Sequence, residues 1–257
     1  MRKRLLTLFL GGILTMTLLN GCVREDKNSE EAILSNFTDF IDMFPSEDLT
    51  YLYDKEGSGD LDKDDLGTWV VSSDVSYKED GILKSYGCNL FFNRNLRQSR
   101  GNFIIMNIQE GKATVSEEYP IYYDKEGIHL LEEVNEEEIL NKFNKFKMMI
   151  EYISLDKEYI KKLELERKYY NAEVPINGLL YKLSSDDKNL SVIKELYPEF
   201  QVKEDEGKLK FHGHIDPTST IGWGTITMSF DKERNAYIRA SYGFNVSDSS
   251  LELFEKE

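Results

Sequence analysis

The hydrophobic positions change period several times along the chain. From Ser29 to Met43, Ile33, Phe37, Phe40 and Ile41 recur at helical spacing. Asn28 is placed to cap this helix, with Glu31 three residues on, and Pro45 stops it. Residues 46–53 suggest a further turn or two, and 54–67 form a loop rich in Gly and Asp. The period then becomes two. Trp69, Val71, Val75 and Tyr77 alternate with Ser72, Asp74 and Ser76, as in a half-buried strand. Asp80-Gly81 is a hairpin signal. The strands expected after it lie near 82–92, 99–109, 112–123 and 128–131, separated by turns at Asn93-Arg94-Asn95, Glu110-Gly111 and Lys125-Glu126-Gly127. They read as an antiparallel meander.

Helical spacing returns after Asn135, with Ile139, Leu140, Phe143, Phe146, Ile150 and Ile153 on one stripe and three glutamates in the first turn. A third, charged helix is expected over 156–168, a strand over 175–183, and a short helix through Leu190, Ile193 and Leu196 that ends before Pro198. Strands at 208–215, 222–230 and 236–246 finish the chain, the last with Ala236, Ile238, Ala240, Tyr242 and Phe244 opposite Arg239 and Ser241. The order predicts an α+β fold: an antiparallel β-sheet, meander plus C-terminal strands, with helices packed on one face. It is read as one domain over 30–257, open to division into subdomains at about 30–132 and 133–257.

Before all this stands a different pattern. Arg2, Lys3 and Arg4 precede an uncharged, largely apolar run from Leu5 to Leu19, which ends in Asn20-Gly21-Cys22. The basic start, the apolar run and the small residue mark residues 1–21 as a signal peptide, and the run is shorter than the ~20 residues of a membrane span. Leu19-Asn20-Gly21-Cys22 resembles the lipobox of bacterial lipoproteins. The resemblance implies cleavage before Cys22 and a diacylglycerol thioether on its sulfur, with further fatty acylation such as palmitate. Residues 22–29 are then a tether, whose seven residues after Cys22 reach at most ~25 Å at ~3.5 Å per residue.

Charge sharpens the picture. Removing residues 1–21 takes away three basic and no acidic residues, so the formal charge goes from −15 to −18. A body so acidic lacks the basic footprint of a nucleic-acid binder and is repelled by anionic lipid headgroups. Only two cysteines exist. With Cys22 lipidated, Cys88 has no partner. Its parity with Tyr86, Leu90 and Phe92 makes it a small buried hydrophobe.

Four constellations could carry chemistry. Asp54 to Asp65 overlays the twelve-residue EF-hand loop, with oxygen side chains at positions 1, 3, 5 and 9 and Gly59 at position 6. Its exit reads as a strand, though, and position 12 is the shorter Asp65. A solvated acidic turn and a calcium loop both remain open. His212, His214 and Asp216 share the polar face of a strand, with His129 the only other histidine and no third metal ligand evident. Arg94, Arg97 and Arg100 surround a hairpin turn, either as a contact for an anionic partner or as a charged tip that blunts a strand edge. Trp223 has the parity opposite to Ile226, Met228 and Phe230, which exposes it as a surface-contact candidate. The chain lacks Gly-x-Ser-x-Gly, His-Glu-x-x-His and phosphate-loop signatures. No catalytic residue, cofactor or metal ligand is assigned.

Tyr53-Asp54-Lys55-Glu56-Gly57, Lys63-Asp64-Asp65-Leu66-Gly67-Thr68-Trp69, Asp42-Met43-Phe44-Pro45 and Asn93-Arg94-Asn95, together with the lipobox, resemble the staphylococcal tandem lipoproteins, paralogous surface lipoproteins encoded in clusters. Two departures are a short acidic loop before Lys63 and His212-Gly213-His214, where the family more often has Lys-Gly-Ser-like residues. The resemblance implies lipid anchoring on the extracellular face of a Gram-positive cell membrane. It also implies an acylated N-terminus of the type sensed by innate receptors, a link to host-cell interaction and invasion, and no enzymatic activity. The partners expected are the membrane, through the lipid on Cys22, and host proteins. The alternative is a small-ligand or metal-binding lipoprotein serving uptake or the cell wall. The Cys22→Ala substitution is expected to abolish incorporation of a labelled palmitate analogue and to shift the chain out of the lipid-modified membrane fraction, read by labelling and cell fractionation.

Overall fold

A computed structural model describes residues 28–57, 65–109, 112–171, 173, 174, 176–200, 207–214, 223–231, 235–245 and 254. Among the described residues, ten antiparallel strands make up one sheet: β1 (Thr68–Glu79), β2 (Ile82–Asn93), β3 (Gln98–Gln109), β4 (Lys112–Asp124), β5 (Gly127–Leu130), β6 (Glu164–Asn171), β7 (Ile176–Lys182), β8 (Lys208–His214), β9 (Trp223–Ser229) and β10 (Ala236–Asn245). Their order across the sheet is β5-β4-β3-β2-β1-β10-β9-β8-β7-β6. Two five-stranded meanders thus meet where the first strand of one pairs with the last strand of the other, from Thr68↔Asn245 to Tyr77↔Ala236. The expected hairpin at Asp80-Gly81 forms with both residues at positive φ, 53° and 83°, the geometry of a tight two-residue turn between twisted strands.

One parity of every central strand is buried. A single row runs Leu179, Phe211, Ile226, Ala240, Ser73, Cys88 and Phe103 across six strand pairings, and none of these residues is more than 3% exposed. Cys88 is the buried hydrophobe its parity predicted. Burial pushes its thiol well above the ordinary range, so it is not a nucleophile in waiting.

The helical segments are shorter than their hydrophobic patterns suggest. The expected helix over 29–43 is two pieces, α1 (Glu30–Ser35) and α2 (Thr38–Ile41). Its cap is Ser29, not Asn28: the Ser29 hydroxyl accepts from the Ala32 amide at 3.1 Å. The break at Phe37 lets successive aromatics reach different strands, Phe37 against Phe211 at 5.5 Å and Phe40 stacked on Tyr242 at 4.3 Å. A 3-10 turn follows at Thr50–Tyr53.

The expected helix after Asn135 is also divided, into α3 (Glu137–Lys145) and α4 (Met149–Tyr152). Phe146 and Met148 between them are extended, which buries Met148 completely, while the Glu151 carboxylate accepts from the Met148 amide at 2.8 Å. Phe143 and Phe146 both pack on Phe103, at 5.3 and 5.5 Å. The charged helix expected over 156–168 is corrected. Only α5 (Lys157–Ile160) is helical, and Glu164–Asn171 is the edge strand β6. An edge strand with one neighbour has no second partner to hide its charges, so Glu164, Glu166, Arg167 and Lys168 are tolerated there and guard against unwanted pairing. Helix α6 (Lys188–Leu196) is capped by Asp187, which accepts from the Asn189 amide at 2.9 Å and from the Tyr159 hydroxyl at 2.7 Å.

Phe211 is fully buried between Phe37 and Tyr181. Phe211→Ala is expected to cost about 3–5 kcal/mol of stability, the range for truncating a core phenylalanine, measured by urea denaturation.

Candidate functional site

The parity opposite the core carries mostly polar side chains, and in the C-terminal half of the sheet it forms a trough. The strand register sets its layout. One row is Ile176, His214, Trp223 and Gly243; the next is Gly178, His212, Thr225 and Ser241. The third is Leu180, Lys210, Thr227, Arg239 and Asp74, and the fourth is Lys182, Lys208, Ser229, Tyr237 and Ser76. Most of these residues, with Glu166 and Asp231, enclose about 760 Å³. That lies within the ~300–1,000 Å³ of small-molecule sites.

Trp223 is 37% exposed at one end, as its parity predicted. His212 meets its ring edge-on at 5.2 Å, and the Tyr169 hydroxyl bonds to His212 Nδ1. Tyr169 can do this because its strand partner is Gly178, where a Cβ would collide with the phenol ring. Burial, and secondarily Lys210, hold the His212 imidazolium below its usual range, so the ring is neutral at physiological pH.

Among the described residues, two ion pairs stand here. Lys208 bonds to Glu166, and Arg239 Nε donates to Asp74 Oδ1 at 2.7 Å while its guanidinium lies 5.9 Å from the Tyr237 ring centre. The Asp231 carboxylate accepts from the Asn235 amide at 2.8 Å, and the hydroxyls of Thr225 and Ser241 are 3.0 Å apart.

The other sequence candidates resolve differently. Cys22, the 58–64 segment of the acidic loop and Asp216 lie outside the described residues. At the loop's two described ends, the Asp54 carboxylate is held by Arg97 at 2.5 and 3.2 Å, and Asp65 accepts from the Gly67 amide and from Asn95, both at 2.8 Å. His129 sits on β5 with Asp124 at 2.8 Å, stacked on Tyr122, at the far end of the sheet from His212 and His214. Among the described residues no group of three His, Cys, Asp or Glu side chains converges as a metal site.

The arginine cluster is not a free basic patch. Arg94 is 8% exposed and donates to the carbonyls of Leu66, at 2.6 Å, and Tyr53, at 3.4 Å. It holds the 3-10 turn against the entry of β1. Arg97 is neutralised by Asp54 and lies over Tyr53, and Arg100 donates to the Ser99 carbonyl at 3.0 Å. Reading the sequence alone missed Tyr169, Tyr237, Arg239 and the Lys208–Glu166 pair. The alternation in the last three strands already put Arg239, Lys208 and Trp223 on one parity, but their rows depend on the register.

The comparisons agree with this architecture's origin in a lipoprotein. The Csa1 family profile matches residues 29–247. A lipoprotein of Staphylococcus epidermidis described as uncharacterized is 32% identical over 244 residues, covering 90% of this chain and 93% of its own. One from Staphylococcus aureus is 33% identical over 233 residues, covering 87% and 90%, and another is 29% identical over 255 residues, covering 94% and 97%. The protein is a lipoprotein by kinship. It belongs to the Csa1 family, the staphylococcal tandem lipoproteins. Among the described residues no helix is long and apolar enough to cross a membrane.

Burial raises the Asp74 carboxyl above its ordinary range, and Arg239 pulls it back. A carboxyl raised on folding stabilises the fold most when protonated, and that contribution is lost as pH rises through the shifted pKa. Arg239→Gln removes the counter-charge. It is expected to destabilise the protein by about 1–3 kcal/mol at pH 7, below the ~3–5 of a fully buried pair because the Arg239 side chain is 45% exposed. The loss should shrink as the pH falls and Asp74 takes up a proton, as read by denaturation at neutral and at acidic pH.

Proposed function

We propose that this lipoprotein is held on the extracellular face of the cell membrane by a lipid on Cys22 and acts there by binding, without chemistry of its own. In this reading the helical segments cover one face of the sheet and leave the other open to partners, host-cell surface components among them. The observation that carries it is the asymmetry of the C-terminal half of the sheet. Its core parity is closed by Phe37, Phe40 and the residues around them, while its other parity presents Trp223 and a polar trough. Exposed aromatic rings supply contact area at low entropic cost, as binding surfaces require. The acylated N-terminus would add immune stimulation as a property of the anchor, independent of the trough.

A second reading, a small-ligand protein for uptake or cell-wall work, gains support from the trough's volume. The two separate on one measurement. The mature lipoprotein, displayed on liposomes, is expected to bind host cells, with the Trp223→Ala variant reduced several-fold at unchanged melting temperature. Binding that Trp223→Ala leaves untouched would remove the open face from the function.

A further inference from the structure

We infer that the trough over β7–β10 is a binding site for a neutral oligosaccharide, with Trp223 as the platform on which a pyranose ring stacks. The inference rests on the open face being the binding surface and names what it takes.

Three features point to this chemistry. The first is an exposed aromatic ring held in a fixed attitude. His212 braces the Trp223 ring from the side and is itself held by the Tyr169 hydroxyl, so little side-chain freedom is left to lose on binding. The electron-rich face of an indole matches the partly positive C–H edges of a sugar ring.

The second is the charge balance. Three cations, Lys208, Lys210 and Arg239, stand in or beside the trough with three carboxylates, Glu166, Asp74 and Asp231. Arg239 and Lys208 are already engaged with acids, and His212 is neutral. An anion would have to break these pairs in a body whose net charge is strongly negative. An uncharged ligand does not.

The third is the kind of hydrogen bonding on offer. Sugar hydroxyls donate and accept at once. Paired carboxylates keep spare lone pairs, paired ammonium and guanidinium groups keep spare N–H donors, and the Thr225 and Thr227 hydroxyls do both. The surface therefore suits a ligand of mixed character, whose hydroxyls meet these groups while its C–H faces lie on Leu180, the rings and the aliphatic stems of the lysines.

Such a saccharide could come from the bacterial wall or from an animal cell surface. The test is calorimetry on the mature lipoprotein in detergent with three probes: chitotetraose, a neutral mimic of the wall's β1,4-linked strand of alternating N-acetylglucosamine and N-acetylmuramic acid; lacto-N-tetraose, a galactose-terminated animal-type glycan; and an anionic hyaluronan tetrasaccharide. At least one neutral probe is expected to bind, and which of them binds tighter names the source. Trp223→Ala should weaken that binding about tenfold or more, and Trp223→Phe by less, with the melting temperature unchanged. Because the chain has only two tryptophans and Trp69 is buried, an emission shift on sugar addition should disappear in Trp223→Ala.

No heat from either neutral probe at about 10 mM, binding undiminished in Trp223→Ala, or tighter and salt-sensitive binding of hyaluronan would each overturn the inference. If sugars fail while Trp223→Ala still loses host-cell binding, the surface reading stands and the ligand class falls. If sugars bind but host cells do not, the trough stands and the cell-surface reading falls.

Discussion

The pairing of β1 with β10 is the constraint on which the rest depends. It joins residues about 170 positions apart and converts two five-stranded meanders into one sheet. The seam also gathers much of the core. Trp69 faces Phe244 at 4.9 Å, Val75 faces Ile238, and Ser73 faces Ala240, each pair buried. Ser73 is the one hydroxyl in this row of apolar side chains. It donates to the Arg239 carbonyl at 3.1 Å and accepts from the Met149 amide at 2.8 Å, so it satisfies the amide at the start of α4 and ties that turn to the seam. A pairing of such sequence separation has a high loop-closure cost, offset only when the core on both sides of it forms together.

The same seam couples core and open face. Asp74 and Arg239 are strand partners across it, one residue out of phase with Ser73 and Ala240, so their ion pair stands on the face away from the core. Fold and trough therefore share a backbone register. A slip of β1 by one residue against β10 would turn Val75 outward and carry Asp74 into the core. The burial pattern alone forbids it.

Much of this was legible in the residues. Alternation in β1, β2, β8, β9 and β10 identified both faces, the exposure of Trp223 and the burial of Cys88, because a period of two leaves only two choices. The Asp80-Gly81 turn was legible because so few residues accept positive φ there. Helix lengths were not. Phe37 and Phe146 satisfy helical spacing, yet each leaves the helix to fill space over the sheet, a tertiary demand that spacing does not encode. Glu164–Asn171 failed for a related reason. Its charges suit a solvated helix as well as an edge strand, and only Gly178 and the phenol of Tyr169 lying over it settle the matter. Arg94 misled because an arginine at a turn reads as exposed until its carbonyl partners are seen.

The position of α1 bears on how the body would stand if anchored as proposed. The Tyr181 hydroxyl, on the core side of β7, donates to Glu30 at 2.9 Å, so the chain enters the fold beneath the very strands whose other side forms the trough. A tether of at most ~25 Å from Cys22 keeps that entry point near the headgroups. The side of the C-terminal half that Glu30 meets would then lie toward the membrane and the trough away from it. If the body is anchored so, a trough on the far side of a short leash would face outward, as the proposed saccharide site requires.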